Sequence, residues 1–129
     1  MICDFKLIIQ FCNELGFEQI IENNDSVEIK LFDEAKLVFE NLHEENDSLV
    51  GFAGTPWHTH DTLTFADKNG FYIEMNYLDI LDGLKMGTVL VCEQFIGNNL
   101  IDRYLVHRDY FDEIRFIDKN EEIRIRRIA

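Results

Sequence analysis

The segment Gly54-Thr55-Pro56-Trp57-His58-Thr59-His60-Asp61 gathers the only tryptophan, the only proline and two of the four histidines of the chain. If it is extended, His58 and His60 point to the same side, with Cβ atoms roughly 6–7 Å apart. Two imidazoles so placed suit a divalent metal such as zinc. Asp61 or a distant His107 or His43 would complete its shell. No second metal-binding spacing accompanies the H-x-H pair. The same residues therefore read equally as a contact surface, with Trp57 as an aromatic anchor beside His58 and His60, or with Trp57 capping the core. No cofactor is required by any other motif, so a divalent metal is the one alternative to none.

Other chemistries find less support. There is no G-x-S-x-G, and the only serines, Ser26 and Ser48, stand beside acidic turn residues. The seven glycines are scattered at turns and form no phosphate loop. Cys3, Cys12 and Cys92 lie in apolar runs without C-x-x-C spacing, where a thiol acts as a small hydrophobe. Cys92 falls in an expected buried strand, which suppresses thiolate formation. Glu74, Glu93 and Asp102 interrupt strand patterns and are expected on the solvated side of an antiparallel sheet. The chain reads as a binding protein more readily than as an enzyme.

Charge narrows the partner. The 129 residues carry 25 acidic and 12 basic side chains, a formal net charge of -13. Phosphate neutralisation needs lysine and arginine, so nucleic acid is a poor partner, and anionic membrane surfaces repel the chain. A cationic protein fits, and so does solubility alone. Residues 1–75 hold 15 acidic against 4 basic side chains, so the negative field should gather on surfaces from the first part of the chain. Glu44, Glu45 and Asp47 form its most exposed run. The basic group Arg124, Arg126 and Arg127 is expected to pair with carboxylates, for instance through a ladder to Glu113. Reduced cysteines and the absence of a secretory pattern predict a cytoplasmic protein.

The elements that must position these residues follow from periodicity. Phe5, Ile8, Ile9, Cys12 and Leu15 predict a helix over about 4–15 that Gly16 ends; Leu7 and Phe11 widen its apolar stripe. Strands are predicted around Val27–Phe32, Leu37–Leu42 and Leu49–Phe52, with an exposed acidic loop at 44–47. Asp67-Lys68-Asn69-Gly70 marks a hairpin between Leu63–Phe65 and Phe71–Met75. A second short helix spans about 77–85, with Asn76 as its cap and Gly87 as its stop. The remainder reads as a four-strand meander: Val89–Cys92, apolar on both faces and central, then Leu100–His107, Ile114–Ile117 and Ile123–Ile128. The expectation is one α+β domain over 1–129, mostly antiparallel sheet. An open sheet face of this kind also suits a homodimer.

In size, acidity and lack of catalytic motifs the chain resembles the small cytoplasmic immunity proteins that accompany bacterial polymorphic toxins. The segments Gly54-Thr55-Pro56-Trp57-His58 and Tyr104-Leu105-Val106-His107 carry that resemblance. It implies a non-catalytic inhibitor that blocks a cationic nuclease or other toxin by charge complementarity and an aromatic anchor.

Overall fold

Asp4 opens the first helix, α1 (Phe5–Leu15): its carboxylate accepts from the Lys6 and Leu7 amides, which would otherwise lack partners. Gly16 closes it in the left-handed conformation, φ 85°, and its amide reaches back to the last turn. Ile8 and Cys12 are buried, and Phe5, Ile9, Phe11 and Leu15 pack around them. Leu7 departs from the expected stripe and stays 47% exposed. The helix buries one narrow face against its neighbours, and Leu7 lies beyond that face.

The computed structural model describes residues 1–110 and 120–128. After α1 the chain forms five strands in simple antiparallel order: β1 (Ile20–Glu22), β2 (Ser26–Phe32), β3 (Ala35–Leu42), β4 (Asp47–Phe52) and β5 (His58–His60). Val27, Ile29, Leu37, Phe39 and Val50 alternate onto one face and are fully buried. That face is covered by the helices; the Tyr77 ring meets Phe39 edge-on at 5.1 Å. A separate hairpin joins β6 (Leu63–Ala66) and β7 (Tyr72–Met75), with Gly70 in its turn, where the Asn-Gly cue lies.

Helix α2 (Tyr77–Met86) begins with a reciprocal cap. The Asn76 side chain accepts from the Asp79 amide, and the Asp79 carboxylate accepts from the Asn76 amide. Ile80, Leu81 and Leu84 are fully buried and join α1, the five-strand sheet and the last sheet in one core cluster.

The last sheet holds β8 (Val89–Ile96), β9 (Asn99–His107) and β10 (Glu121–Arg126) in the order β10-β8-β9. The α+β, largely antiparallel architecture is as the sequence predicts, with β8 central. The strand count differs: three strands are described, and β10 returns to pair with β8 instead of extending the meander beyond β9. Flanked on both edges, β8 pairs its backbone N–H and C=O groups with a strand on each side. The expected strand at 114–117 and the ladder to Glu113 lie outside the described residues. Among the described residues no helix is long and apolar enough to cross a membrane.

Candidate functional site

The H-x-H segment becomes a short strand because Gly51 lets it approach β4. A Cβ on Gly51 would lie 2.7 Å from the Trp57 carbonyl oxygen and 3.0 Å from the His58 Cβ. His58 and His60 are extended on one side, with ring centroids 5.2 Å apart and rings nearly perpendicular. Each ring is then engaged separately. His60 Nδ1 stands 2.8 Å from Asp47 Oδ2, and His58 Nδ1 stands 3.1 Å from the Pro56 carbonyl.

The other two residues of the expected ligand set lie in different surroundings. Asp61 turns through a left-handed conformation, φ 57°. Its amide donates to the Tyr77 hydroxyl at 3.0 Å and its carboxylate accepts from Ser48 Oγ at 3.3 Å. His107 is buried on β9 between the rings of Phe65 and Tyr110, and its Nδ1 accepts from the Asp109 amide. Burial holds the His107 imidazole below its ordinary range, against the pull of Asp109. His43 pairs with Asp25 at 3.1 Å. Among the described residues, no group of three or more His, Cys, Asp or Glu is placed to hold a metal ion.

Thiol chemistry is suppressed. Burial pushes the Cys3 and Cys12 thiols up to about 11 and raises that of Cys92 as well. Ser48 is buried and shares its hydroxyl with Tyr77 at 2.9 Å.

Strand order gathers the acidic residues. In an antiparallel meander the β1–β2 and β3–β4 turns lie at one end of the sheet. The Asn41 amide accordingly donates to the Asp25 carbonyl at 2.8 Å. A one-turn 3-10 helix, His43–Glu45, projects Glu44 and Glu45 there, both exposed. The return of β5 adds Asp61. The N-terminal segment is tied to the same end, where the Asn41 side chain bonds the Cys3 backbone through both its oxygen and its nitrogen. Asp4 is thereby carried to this end, and the Met1 ammonium approaches Asp61 at 3.2 Å and Asp47 at 3.8 Å. The Ser48 amide, the largest influence, together with His60 and the ammonium, holds the Asp47 carboxyl below its ordinary range. No lysine or arginine occurs in 22–25, 40–49 or 58–62.

The arginines of the tail are engaged elsewhere. Arg126 contacts Asp33, in the turn at the opposite end of the sheet, at 3.3 Å and lies over the Phe32 ring at 3.8 Å. Arg127 reaches the Met86 carbonyl. Arg124 pairs with Glu122 and covers Phe95. Pairing with carboxylates was expected of this group, and Arg124 and Arg126 each have such a partner among the described residues.

One expectation is overturned. Glu93 is not solvated: it is 6% exposed and paired with Arg103, also 6% exposed. Arg103 Nε and Nη2 both donate to Glu93 Oε2, at 3.0 and 2.9 Å. Strand register sets the two directly opposite on β8 and β9. Glu74 is exposed and Asp102 half-buried; the Asp102 carboxylate accepts from the Trp57 amide at 3.1 Å. Trp57 is half-buried and packs on the core beside Phe52, their ring centroids 6.2 Å apart.

Two concavities adjoin the acidic strands. A groove of about 280 Å³ lies on the outer sheet face, with Val38, Leu49, Glu40, Trp57 and His58 in its walls. A larger, mainly apolar pocket of about 510 Å³ lies between the N-terminal segment, α1 and the start of α2, with Asp61 at its edge. Compared with protein-family models, curated proteins and solved structures, the chain finds no significant match in any of the three.

Proposed function

We propose that this chain is a non-catalytic binding protein that presents the acidic end of its five-strand sheet to a cationic protein. The observation carrying this reading is the convergence of Asp25, Glu44, Glu45, Asp47 and Asp61 at one end of the sheet, while the tail arginines pair elsewhere. Clustered like charge that is not internally neutralised raises the encounter rate with an oppositely charged partner and sets its orientation. The buried thiols and Ser48 supply no activated nucleophile. This is the behaviour implied by the resemblance to cytoplasmic immunity proteins, with a basic toxin as the partner. His60, exposed at the end of β5 nearest the acidic turn, would border the same contact, with His58 and the half-buried Trp57 further along toward Phe52.

Affinity capture from native lysate at low ionic strength tests the reading. It predicts retention of a basic protein in stoichiometric amount, lost at high salt and lost when Glu44→Lys and Glu45→Lys are combined. Retention of nothing, or of proteins indifferent to both salt and charge reversal, refutes it.

A second reading rests on the adjacent exposed rings of His58 and His60: a site for a divalent metal such as zinc. Metal analysis of tag-free protein decides it. Stoichiometric metal that disappears with His58→Ala and His60→Ala supports a metal site; trace metal unaffected by them ends it. Pairing of two copies through the outer sheet face, where Val38 and Leu49 are half-buried, would appear as a dimer in sedimentation.

A further inference from the structure

Leu7 is the residue of α1 that periodicity assigns to the core and the structure leaves outside it. It is not isolated. Ile2, 41% exposed, and Leu7, 47% exposed, flank the pocket of about 510 Å³, which Ile8, Tyr77 and Leu78 line from within. The volume falls in the range of roughly 300–1,000 Å³ typical of clefts that hold a ligand. Exposed apolar surface around a concavity marks a contact site more often than a scatter of single residues does.

Carboxylates outnumber cations around this pocket: among its lining residues the cation is the Met1 ammonium, shared between Asp61 and Asp47. Its lining carries the carboxylates of Asp4 and Asp61 beside the Cys3 thiol and the Tyr77 hydroxyl. Asp47, which shares the Met1 ammonium with Asp61, leads on toward Glu44 and Glu45. Such a rim discriminates among occupants. A second copy, itself at a net charge of -13, is repelled. An anionic lipid surface is repelled likewise. A segment with a bulky aliphatic side chain flanked by lysine or arginine matches both the apolar interior and the acidic edge.

We propose that the pocket between the N-terminal segment, α1 and α2 is where the cationic partner anchors, receiving an aliphatic side chain while basic neighbours meet Asp4 and Asp61. The inference rests on the binding reading and deepens it. Charge at 44–47 and 61 attracts and orients; the apolar pocket holds. Central apolar anchors surrounded by a polar rim are where most interface energy concentrates.

Two synthetic peptides of equal length and equal lysine content serve as probes, one with leucines at helical spacing, the other with serines in their place. Binding is followed by calorimetry and by the methyl resonances of Ile2, Leu7, Ile8 and Leu78. The leucine peptide is expected to shift those resonances and to bind at least tenfold more tightly than the serine peptide. Leu7→Glu is expected to remove that advantage, and because Leu7 is exposed the variant should keep the native melting temperature. Equal binding of both peptides, unaffected by Leu7→Glu, overturns the pocket while leaving the acidic surface in place. Shifts confined to residues away from the pocket overturn it too, as does failure of both peptides to bind. The lysate capture described above judges the binding reading independently: a captured partner sensitive to Glu44→Lys and Glu45→Lys but not to Leu7→Glu sinks the pocket alone.

Discussion

Carboxylates are handled differently at the two ends of the five-strand sheet. At the β2–β3 end and in the adjoining C-terminal sheet each described arginine of the tail finds an acceptor, an aromatic face or both: Arg126 with Asp33, Glu93 and Phe32, Arg124 with Glu122 and Phe95. At the β1–β2 and β3–β4 end the carboxylates meet two histidines and one ammonium. In the first region charge is used up in holding strands together. In the second it is left directed at solvent, where it contributes little to stability and much to long-range attraction. Acidic composition alone does not distinguish the two regions; the placement of the cations does.

The sharpest way to probe the first region is to unpair its buried charge. Arg103→Ala removes both donors from the buried Glu93 Oε2, leaving it only Arg126 at 3.9 Å, and should destabilise the fold by about 3 kcal/mol, read by denaturant titration. Replacing both residues by apolar ones of similar size should cost far less, because no lone buried charge remains. Gly51→Ala comes next. Its new methyl would press on Trp57 and His58, and overpacking of this kind costs about 1–3 kcal/mol. Its thermal midpoint should fall, and the His58 and His60 resonances should move with it. Asp4→Ala removes the α1 cap and should cost about 1 kcal/mol.

These effects also measure what the sequence carries. Both helices, the Gly16, Asn76 and Gly87 caps and β2, β3, β4, β6 and β7 are legible because apolar spacing and cap residues act locally; the Asp4 cap is not, since the periodicity places residue 4 inside the helix. β1 is not, since three residues offer no period to read. The pair Glu93–Arg103 is hidden for another reason: it is made by strand register, and an acidic residue inside a strand reads as solvent-facing until its opposite neighbour is known. Asp47–His60 also needs the fold, since it requires β5 to return beside β4. The acidic site is half legible. Glu44-Glu45 stands out in the chain, but its convergence with Asp25 and Asp61 requires the antiparallel order. Leu7 fits the helical period of α1, and only the narrowness of the buried face leaves it out.

The smaller predictions concern titration and surface charge. The His107 imidazole is depressed by burial in the folded state, so the unfolded chain binds more protons once pH drops below about 6.5. Stability should therefore be complete above that pH and decline as pH falls toward the lowered folded value. His107→Gln should flatten that part of the pH–stability curve. Glu44→Lys with Glu45→Lys should change stability by less than about 0.5 kcal/mol, since both side chains are exposed and neither anchors a strand.

A matched pair of charge reversals puts the two ends in direct competition. Glu44→Lys with Glu45→Lys and Glu18→Lys with Glu34→Lys alter net charge equally, the first at the open acidic end and the second at the end near Asp33. The association rate of the captured basic partner, followed over a range of ionic strength, should fall sharply and lose its salt dependence only for the first pair. Equal slowing by both would mean that overall charge alone draws the partner, and that the gathering of carboxylates at one end of the sheet has no bearing on binding.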